Sequence, residues 1–204
     1  MSITQPSRPP LTTGVLLFDD AEELDYAGPW EVLTMARKKG DSVVTIAERP
    51  EAVRSAKGLR VLPDHTFDDA PPLDVILVPG GMGTRREVDN PVLTDWLGKV
   101  SESATWVTSV CTGSFLLHAA GPARDGRVTT HWAAVEELRE RAPDLTVVED
   151  ARWVVDGNVV TAAGVSAGID MALWLVGQLY DVPHARAVQR FIQYDPAPPY
   201  QADF

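Results

Sequence analysis

The stretch ATWVTSVCTGSFLLHAA, residues 104–120, decides how this chain folds. Residues 104–110 form a run of apolar and β-branched side chains, which predicts a strand buried on both faces of a parallel sheet. Cys111 follows this run directly, and the residues from Thr112 to Ala120 predict a helix. The sequence therefore predicts a sharp turn from strand to helix, with a cysteine at the turn.

Strands and helices alternate along the rest of the chain. The predicted strands are residues 13–18, 42–47, 74–78, 146–148 and 152–160, the last folded back at Asp156-Gly157-Asn158. The predicted helices are a first one with Pro29 in its first turn, ending at Lys39, and residues 91–103, 132–141, 166–180 and 183–192. This alternation indicates an α/β fold, a three-layer sandwich with helices on both faces of a mostly parallel central sheet.

The length and composition fit one globular unit. The chain has 204 residues, 45% of them hydrophobic, which is enough to bury one sizeable core. We therefore expect a single domain over residues 13–204. Residues 1–12 contain three prolines and no apolar run, so we expect a flexible leader there rather than a secretory signal.

The charge of the chain excludes several classes of partner. A formal net charge of −11, with 23% charged residues, indicates an acidic globular surface. Such a surface repels phosphates, and no stripe of Lys and Arg offsets that repulsion, so we expect no nucleic-acid partner and favour a small neutral substrate. No segment approaches the roughly 18 uninterrupted apolar residues of a membrane span, so we expect no membrane partner.

The cysteine and histidine residues indicate which cellular compartment to expect and whether to expect a metal site. Cys111 is the only cysteine and has no disulfide partner in the chain, so we expect the reducing cytoplasm. His65, His118 and His184 have no partners at metal-ligand spacing, and we expect no metal site.

Two interpretations of Cys111 are open. A lone cysteine in an intracellular protein is commonly a small buried hydrophobe. At a strand-to-helix turn, however, the thiol lies at a helix amino end, where free N–H groups and the helix dipole favour the thiolate. On this second interpretation Cys111 is a nucleophile.

Asp25 follows the first predicted strand, near the edge of the sheet where ligand sites of α/β proteins lie. One interpretation is a helix cap, because a carboxylate accepts hydrogen bonds from the N–H groups just ahead of Pro29. The other is a proton donor whose pKa is raised by partial burial and by a neighbouring negative charge.

Four further residues are candidates for substrate contacts. Gly80 and Gly81 end the strand at 74–78, and they either form a simple turn or let backbone N–H groups approach a ligand. Thr112 places an amide and a hydroxyl beside the sulfur. His131 either begins a helix that packs on the core or assists Cys111.

At these residues the chain resembles the ThiJ/PfpI superfamily, and within it the isonitrile hydratases, over nearly its whole length from about Thr13. The resemblance rests on Leu24-Asp25 with Gly28-Pro29, Val78-Pro79-Gly80-Gly81, Val110-Cys111-Thr112-Gly113, Thr130-His131-Trp132, Gly164-Val165-Ser166-Ala167-Gly168-Ile169-Asp170, and Tyr194-Asp195-Pro196-Ala197-Pro198-Pro199. It implies a flavodoxin-like sandwich of the class I glutamine amidotransferase type.

The resemblance also implies roles for single residues. Cys111 would be the nucleophile, Asp25 the acid and Thr112 a neighbour that touches the substrate. The substrate-binding or oxyanion-binding positions would be Gly80, Gly81, His131 and Gly164. It further implies a homodimer without a cofactor, and attack of Cys111 on an isonitrile carbon, giving a thioimidate that water releases as an N-substituted formamide.

Departures from the superfamily patterns argue against three other activities. A peptidase of this superfamily would place His directly after the nucleophile, where this chain has Thr112. A glutamine amidotransferase would need a late His-x-Glu pair, which His184-Ala185-Arg186 does not supply. Members with glyoxalase or repair-type activity usually carry Glu as the acid, so Asp25 argues against them.

Two non-catalytic alternatives stay open. AraC-type regulators carry a similar domain ahead of a DNA-binding module, but no helix-turn-helix follows before Phe204, so we expect no direct DNA contact. The other alternative is a stress protein in which Cys111 is oxidised rather than turned over.

Overall fold

The structure is a computed structural model, and it describes residues 8–198. Its strands are β1 (Thr12–Leu16), β2 (Ser42–Ala47), β3 (Val53–Arg54), β4 (Arg60–Val61), β5 (His65–Thr66), β6 (Val75–Val78), β7 (Trp106–Val110), β8 (Arg127–Val128), β9 (Thr146–Val147), β10 (Trp153–Asp156) and β11 (Val159–Ala162). Its helices are α1 (Glu23–Ala36), α2 (Thr84–Glu87), α3 (Pro91–Ser103), α4 (Gly113–Ala120), α5 (Val135–Arg141), α6 (Ala167–Leu179) and α7 (Val182–Phe191), with a 3₁₀ helix at Trp132–Ala134.

A seven-stranded sheet in the order β10-β11-β7-β6-β1-β2-β5 forms the middle layer. All its neighbouring strands are parallel except the hairpin β10–β11. Helices α1, α6 and α7 pack against one another on one face, and α2, α3 and α4 cover the other. The predicted α/β sandwich is confirmed, and its central strands bury nearly every side chain, as expected of a sheet covered on both faces.

The start of α1 differs from the prediction. The helix begins at Glu23, so Pro29 lies in its middle and not in its first turn. Tertiary packing accounts for the difference, because α1 lies so close to α6 that a Cβ atom on Gly28 would come within 2.8 Å of Ile169. The energy of this contact outweighs the poor helix propensity of the Gly28-Pro29 pair. As a result, Asp25 belongs to the helix itself.

Two other local predictions are confirmed, and a third is confirmed in part. The predicted helix at 91–103 matches α3, which Asn90 caps by accepting a hydrogen bond from the amide of Val92 at 3.0 Å. The strand predicted to fold back at Asp156-Gly157-Asn158 is the hairpin β10–β11. The single helix predicted over 132–141 is a 3₁₀ turn followed by α5.

Residues 8–12, at the end of the predicted leader, are joined to the body of the fold. Arg8 forms an ion pair with the buried carboxylate of Asp41 at 2.6 Å. Asp41 also accepts hydrogen bonds from the amide of Leu11 and the hydroxyl of Tyr180. Residues 1–7 lie outside the described part of the chain.

Two kinds of feature are absent from residues 8–198. No helix there is both long and apolar enough to span a bilayer. Within the same residues, no three His, Cys, Asp or Glu side chains come together as metal ligands would.

Candidate active site

The candidate site lies where the carboxyl ends of β6 and β7 meet the first turn of α1. Cys111 follows β7 directly, Gly80 and Gly81 follow β6, and Asp25 is the third residue of α1. Both reactive side chains are buried, with Cys111 7% exposed and Asp25 fully enclosed. Parallel strands with neighbouring ends thus bring together residues that are 86 positions apart in sequence.

The backbone at Cys111 is held in an uncommon conformation. Its φ angle is 57°, in the left-handed region that side-chain-bearing residues rarely adopt. Its N–H donates to the carbonyls of Ala162 and Ala163 at 3.1 and 3.0 Å, and its own carbonyl accepts from the hydroxyl of Thr130 at 3.0 Å. Such a strained turn between strand and helix presents a side chain at the edge of the sheet. The predicted elbow is therefore present, and Thr130 is a support that the sequence did not single out.

Asp25 does not cap a helix, so that interpretation is wrong. Glu22 occupies the cap position of α1, and no side chain there makes a capping hydrogen bond. Instead, Oδ2 of Asp25 accepts from the amide of Gly80 at 3.0 Å. The other oxygen, Oδ1, is buried and makes no standard hydrogen bond with any described residue. One carboxyl oxygen is thus held by a backbone amide, and the Cys111 thiol also favours the charged form of Asp25 by hydrogen bonding.

Burial raises the pKa of Asp25 to about 7, in the direction that the sequence predicted. The Gly80 amide opposes this rise by stabilising the charged form, and the nearby charge of Glu22 adds to the rise. Near neutral pH this carboxyl group can both accept and release a proton.

The predicted thiolate form of Cys111 is not favoured by this environment. Burial, followed by the negative charge of Asp25, raises the pKa of the thiol to about 12. The amides of Thr112 and Gly81 and the hydroxyl of Thr112 act in the opposite sense, as expected at a helix amino end, but their effect is smaller. The expectation of a lowered pKa is therefore wrong, because it left out the loss of solvation on folding.

Asp25 and Cys111 are best treated as one titrating pair. Below about pH 7 the pair holds two protons, and above that pH it holds one. The single proton can rest on the sulfur or pass to the carboxylate. The pair thus carries the acid, the base and the nucleophile within one enclosed group of atoms.

Gly80 and Gly81 lie against the elbow. A Cβ atom on Gly80 would fall 2.5 Å from the amide nitrogen of Thr112 and 2.8 Å from Cβ of Cys111. Gly81 has a φ of 115°, and its amide donates to the hydroxyl of Thr112 at 3.0 Å. The predicted amide at Gly81 therefore faces the site, but it is shared between Thr112 and the sulfur.

Replacement of Gly80 by alanine tests this close approach. We expect Gly80→Ala to lower the activity of the site at least about tenfold, because its Cβ would meet the backbone nitrogen of Thr112, which cannot move aside. Gly177→Ala in α6 is the matched control, since a Cβ there would lie 3.9 Å from its nearest neighbours. Thermal unfolding curves distinguish loss of the site from loss of the fold. Full activity in folded Gly80→Ala would contradict the close approach.

His131 and Gly164 meet at the border of the site. A Cβ atom on Gly164 would lie 2.2 Å from Cδ2 of His131, so only glycine leaves room for the ring. Nδ1 of His131 accepts from the amide of Ala133 at 3.2 Å and caps the 3₁₀ helix. Burial lowers the pKa of His131. Among the described residues no hydrogen bond joins His131 to Asp25 or Cys111. The interpretation of His131 as the start of a helix therefore fits better than a role in assisting Cys111.

Access to the sulfur is narrow. A cavity of about 370 Å³ lies beside α2, lined by residues that include Phe18, Arg49 and Glu87, but Cys111 is not part of its lining. The surface that Cys111 itself exposes is 7% of the residue. A reacting group that enters here must have a slender end.

Three known proteins are similar to this chain over nearly its whole length. Isonitrile hydratase from Pseudomonas putida is 40% identical over 193 residues, which cover 94% of this chain and 82% of that enzyme. The helix-turn-helix regulator GbdR from Pseudomonas aeruginosa is 28% identical, and the matched region covers 93% of this chain but about half, 52%, of the regulator. A crystal structure of a ThiJ/PfpI family protein from Pseudomonas syringae has a TM-score of 0.89 at 30% identity, covering 98% of this chain and 81% of that one.

The family assignment follows from a separate match. The profile of the DJ-1/PfpI family matches residues 13–178, which contain Asp25, the two glycines after β6 and the cysteine elbow. The chain therefore belongs to the DJ-1/PfpI family.

Proposed function

We propose that this protein is an isonitrile hydratase, which adds water to an isonitrile to give an N-substituted formamide. The observation that carries the proposal is the enclosed pair of Asp25 and Cys111, which holds one proton above about pH 7. The 40% identity to the Pseudomonas putida isonitrile hydratase supports it. The homodimeric state and the absence of a cofactor belong to the same proposal.

The first step adds the thiol across the terminal carbon of the isonitrile, R–N≡C. Asp25 takes the proton of Cys111, the sulfur forms a bond to the carbon, and Asp25 returns the proton to that carbon. The product is a thioimidate, R–N=CH–S, on Cys111. Because the pair supplies one proton and receives none, the step balances without any other reactant.

The second step releases the product by hydrolysis. Water attacks the thioimidate carbon while the carboxylate of Asp25 accepts one of its protons. The carbon–sulfur bond then breaks, the nitrogen and the sulfur each receive a proton from the water, and R–NH–CHO leaves. The amides of Gly81 and Thr112 stabilise negative charge on the departing sulfur, which restores Cys111 as a thiol.

The shape of the site supports this class of substrate. An isonitrile ends in a linear N≡C group, which is slender enough to approach a cysteine that is only 7% exposed. A peptide would have to bring a branched carbonyl and two flanking chains to the same atom. The side group R would remain outside the enclosed pair.

The pH dependence of turnover follows from the Asp25 pKa of about 7. Below this pH Asp25 is protonated and cannot accept the thiol proton, so we expect kcat/KM to rise with pH up to about 7 and then to level off. Rates of isonitrile consumption between pH 5 and 9 measure the profile. A profile that falls or stays flat through pH 7 would contradict the role of Asp25 as the first base.

A substrate panel tests the proposal as a whole. Wild type, Cys111→Ala and Asp25→Ala are each incubated with several isonitriles, with methylglyoxal and with a peptide. We expect formamide from isonitriles with the wild type alone, and no change in methylglyoxal or peptide. Conversion of methylglyoxal without any formamide would favour a glyoxalase. No conversion of any compound would favour a ligand sensor.

The raised thiol pKa argues against a primary role in peroxide sensing. Peroxides react with thiolates, and a pKa of about 12 leaves little thiolate on Cys111 at neutral pH. A sensor cysteine is favoured by the opposite environment. The raised thiol pKa therefore fits turnover, in which Asp25 removes the thiol proton during the attack on a substrate, better than oxidation of the resting sulfur.

A further inference from the structure

The cavity of about 370 Å³ beside α2 is a second concave site, and Cys111 does not line it. It lies at the carboxyl ends of β1 and β2, at the edge of the sheet where α/β proteins bind small molecules. Its volume falls within the range of roughly 300–1,000 Å³ that small-molecule sites occupy. The reaction proposed above uses no residue of its lining.

Part of the lining is apolar. It consists of five side chains of the core, none more than 8% exposed: Leu17, Phe18, Ala47, Val53 and Leu93. Phe18 also packs against α2, since a Cβ atom on Gly83 would lie 3.1 Å from its ring. An aliphatic group bound against these side chains would be removed from water, which favours binding.

Two carboxylates of the lining lie close together. Glu87 is 8% exposed, and its Oε1 accepts from Nε of Arg86 at 2.9 Å. The Asn90 side-chain amide donates both to Oε2 of Glu87 at 2.9 Å and to Oε2 of Glu48 at 2.7 Å. Arg86 offsets the charge of Glu87, but no cation pairs with Glu48 among residues 8–198. A ligand cation at this point would relieve the repulsion between the two carboxylates.

The lining also contains a cation that has no partner in the described part of the chain. Arg49 forms no ion pair and no side-chain hydrogen bond with any of residues 8–198. Arg86, in contrast, binds Glu87, the carboxylate of Asp20 and the carbonyl of Asp19. A guanidinium such as that of Arg49 binds a carboxylate through two parallel hydrogen bonds.

These charges select one class of ligand. The lining has four carboxylates and two guanidinium groups, so it disfavours a simple anion. A simple amine would leave Arg49 without a partner. A zwitterion places a positive group at the carboxylates and a negative group at Arg49.

We propose that this cavity binds a free α-amino acid with an apolar side chain. Glu48 and Glu87 would hold its ammonium group, Arg49 would hold its carboxylate, and its side chain would lie against the apolar part of the lining. The inference goes beyond the proposed function and does not depend on it, because neither Cys111 nor Asp25 takes part.

Calorimetric titration with L-leucine tests the proposal on the wild-type protein. We expect leucine to bind with a dissociation constant below about 1 mM. Leucinamide lacks the carboxylate and 4-methylpentanoate lacks the ammonium group, so each should bind at least about tenfold more weakly than leucine. Equal heats from all three compounds, or no heat from leucine, would overturn the proposal.

Two variants assign the charged groups of the ligand. Arg49→Gln should weaken leucine at least about tenfold and leave leucinamide within about twofold of its wild-type affinity, because only leucine has a carboxylate to lose. Glu48→Gln should weaken both compounds, and its new amide oxygen can still accept from Asn90. Arg54→Gln is the matched control, since Arg54 is also exposed but does not line the cavity. Thermal unfolding curves check that each variant is folded.

A final titration separates this cavity from the candidate active site. We expect Cys111→Ala to bind leucine as the wild type does. Loss of leucine binding in folded Cys111→Ala would place the ligand at the sulfur and overturn the inference, and so would wild-type affinity in Arg49→Gln. A protein that binds leucine but converts no isonitrile would overturn the proposed reaction and leave the amino-acid site in place.

Discussion

Replacement of Cys111 by alanine is expected to lower isonitrile turnover at least about 1000-fold while the protein stays folded. In the proposed reaction the thioimidate forms on the sulfur, so no covalent intermediate is possible without it. Alanine also has a Cβ atom, and the left-handed φ of 57° is therefore no more strained than it is for cysteine. Formamide production and thermal unfolding, measured on the same samples, check both halves of this expectation.

Intact-mass measurement identifies the residue that carries the intermediate. Wild type quenched with acid during turnover should gain the mass of one isonitrile, and Cys111→Ala should gain nothing. Ser109→Ala, two residues earlier in β7, is the matched control, since it removes a buried hydroxyl that has no hydrogen-bond partner among the described residues. Activity of Cys111→Ala close to that of wild type would remove the nucleophile from the mechanism.

Replacement of Asp25 by asparagine is expected to change two measurements in opposite directions. Turnover should fall about 100- to 10,000-fold, because the amide cannot relay the thiol proton. Alkylation of Cys111 by iodoacetamide at pH 8 should become about tenfold faster, because the charge that raises the thiol pKa is gone. Asparagine retains an oxygen that can accept from the Gly80 amide, so the backbone contact is preserved.

Glu22→Gln is the matched control for this change. It is also a carboxylate replaced by an amide near the site, but its side chain is partly exposed and pairs with Lys57. We expect both its turnover and its alkylation rate to stay within about threefold of wild type. If Asp25→Asn instead slowed turnover and alkylation together, a general distortion of the site would explain the data better than the lost charge.

Local sequence patterns were sufficient to predict the strand and the helix that carry the site. The apolar run at 104–110 and the helical pattern of residues 112–120 mark a strand and a helix with Cys111 between them, and both elements are present. Asn90 and Pro91 similarly mark the start of α3. These predictions hold because the deciding interactions are made within a few residues of chain.

The errors arise where distant segments decide the outcome. Packing on α6 starts α1 six residues ahead of Pro29, and this moved Asp25 from a cap position into the helix. Enclosure by several elements makes the thiol less acidic, although the helix end beside it acts in the opposite sense. Neither effect is visible in residue order, because both depend on how much water the completed fold removes.

The sequence also did not reveal which residues support the site through hydrogen bonds to its backbone. Thr130 stands beside His131, which attracted attention as a titratable group, yet it is Thr130 that holds the carbonyl of Cys111. A hydroxyl that acts through a backbone carbonyl leaves no charge or spacing pattern from which it could be predicted.

The enclosed carboxyl group of Asp25 also makes the folding stability of the protein depend on pH. Folding raises the pKa of Asp25 from its ordinary value of 3.8 to about 7. The unfolded chain therefore gives up this proton more readily than the folded protein does. The stability associated with the protonated form is present in full below about pH 4 and is lost as the pH rises through 7, to the extent of about 4 kcal/mol at most. Since a typical domain is stable by only about 5–15 kcal/mol, the carboxyl group that we propose as the base of the reaction also weakens the fold at neutral pH, where the reaction would run.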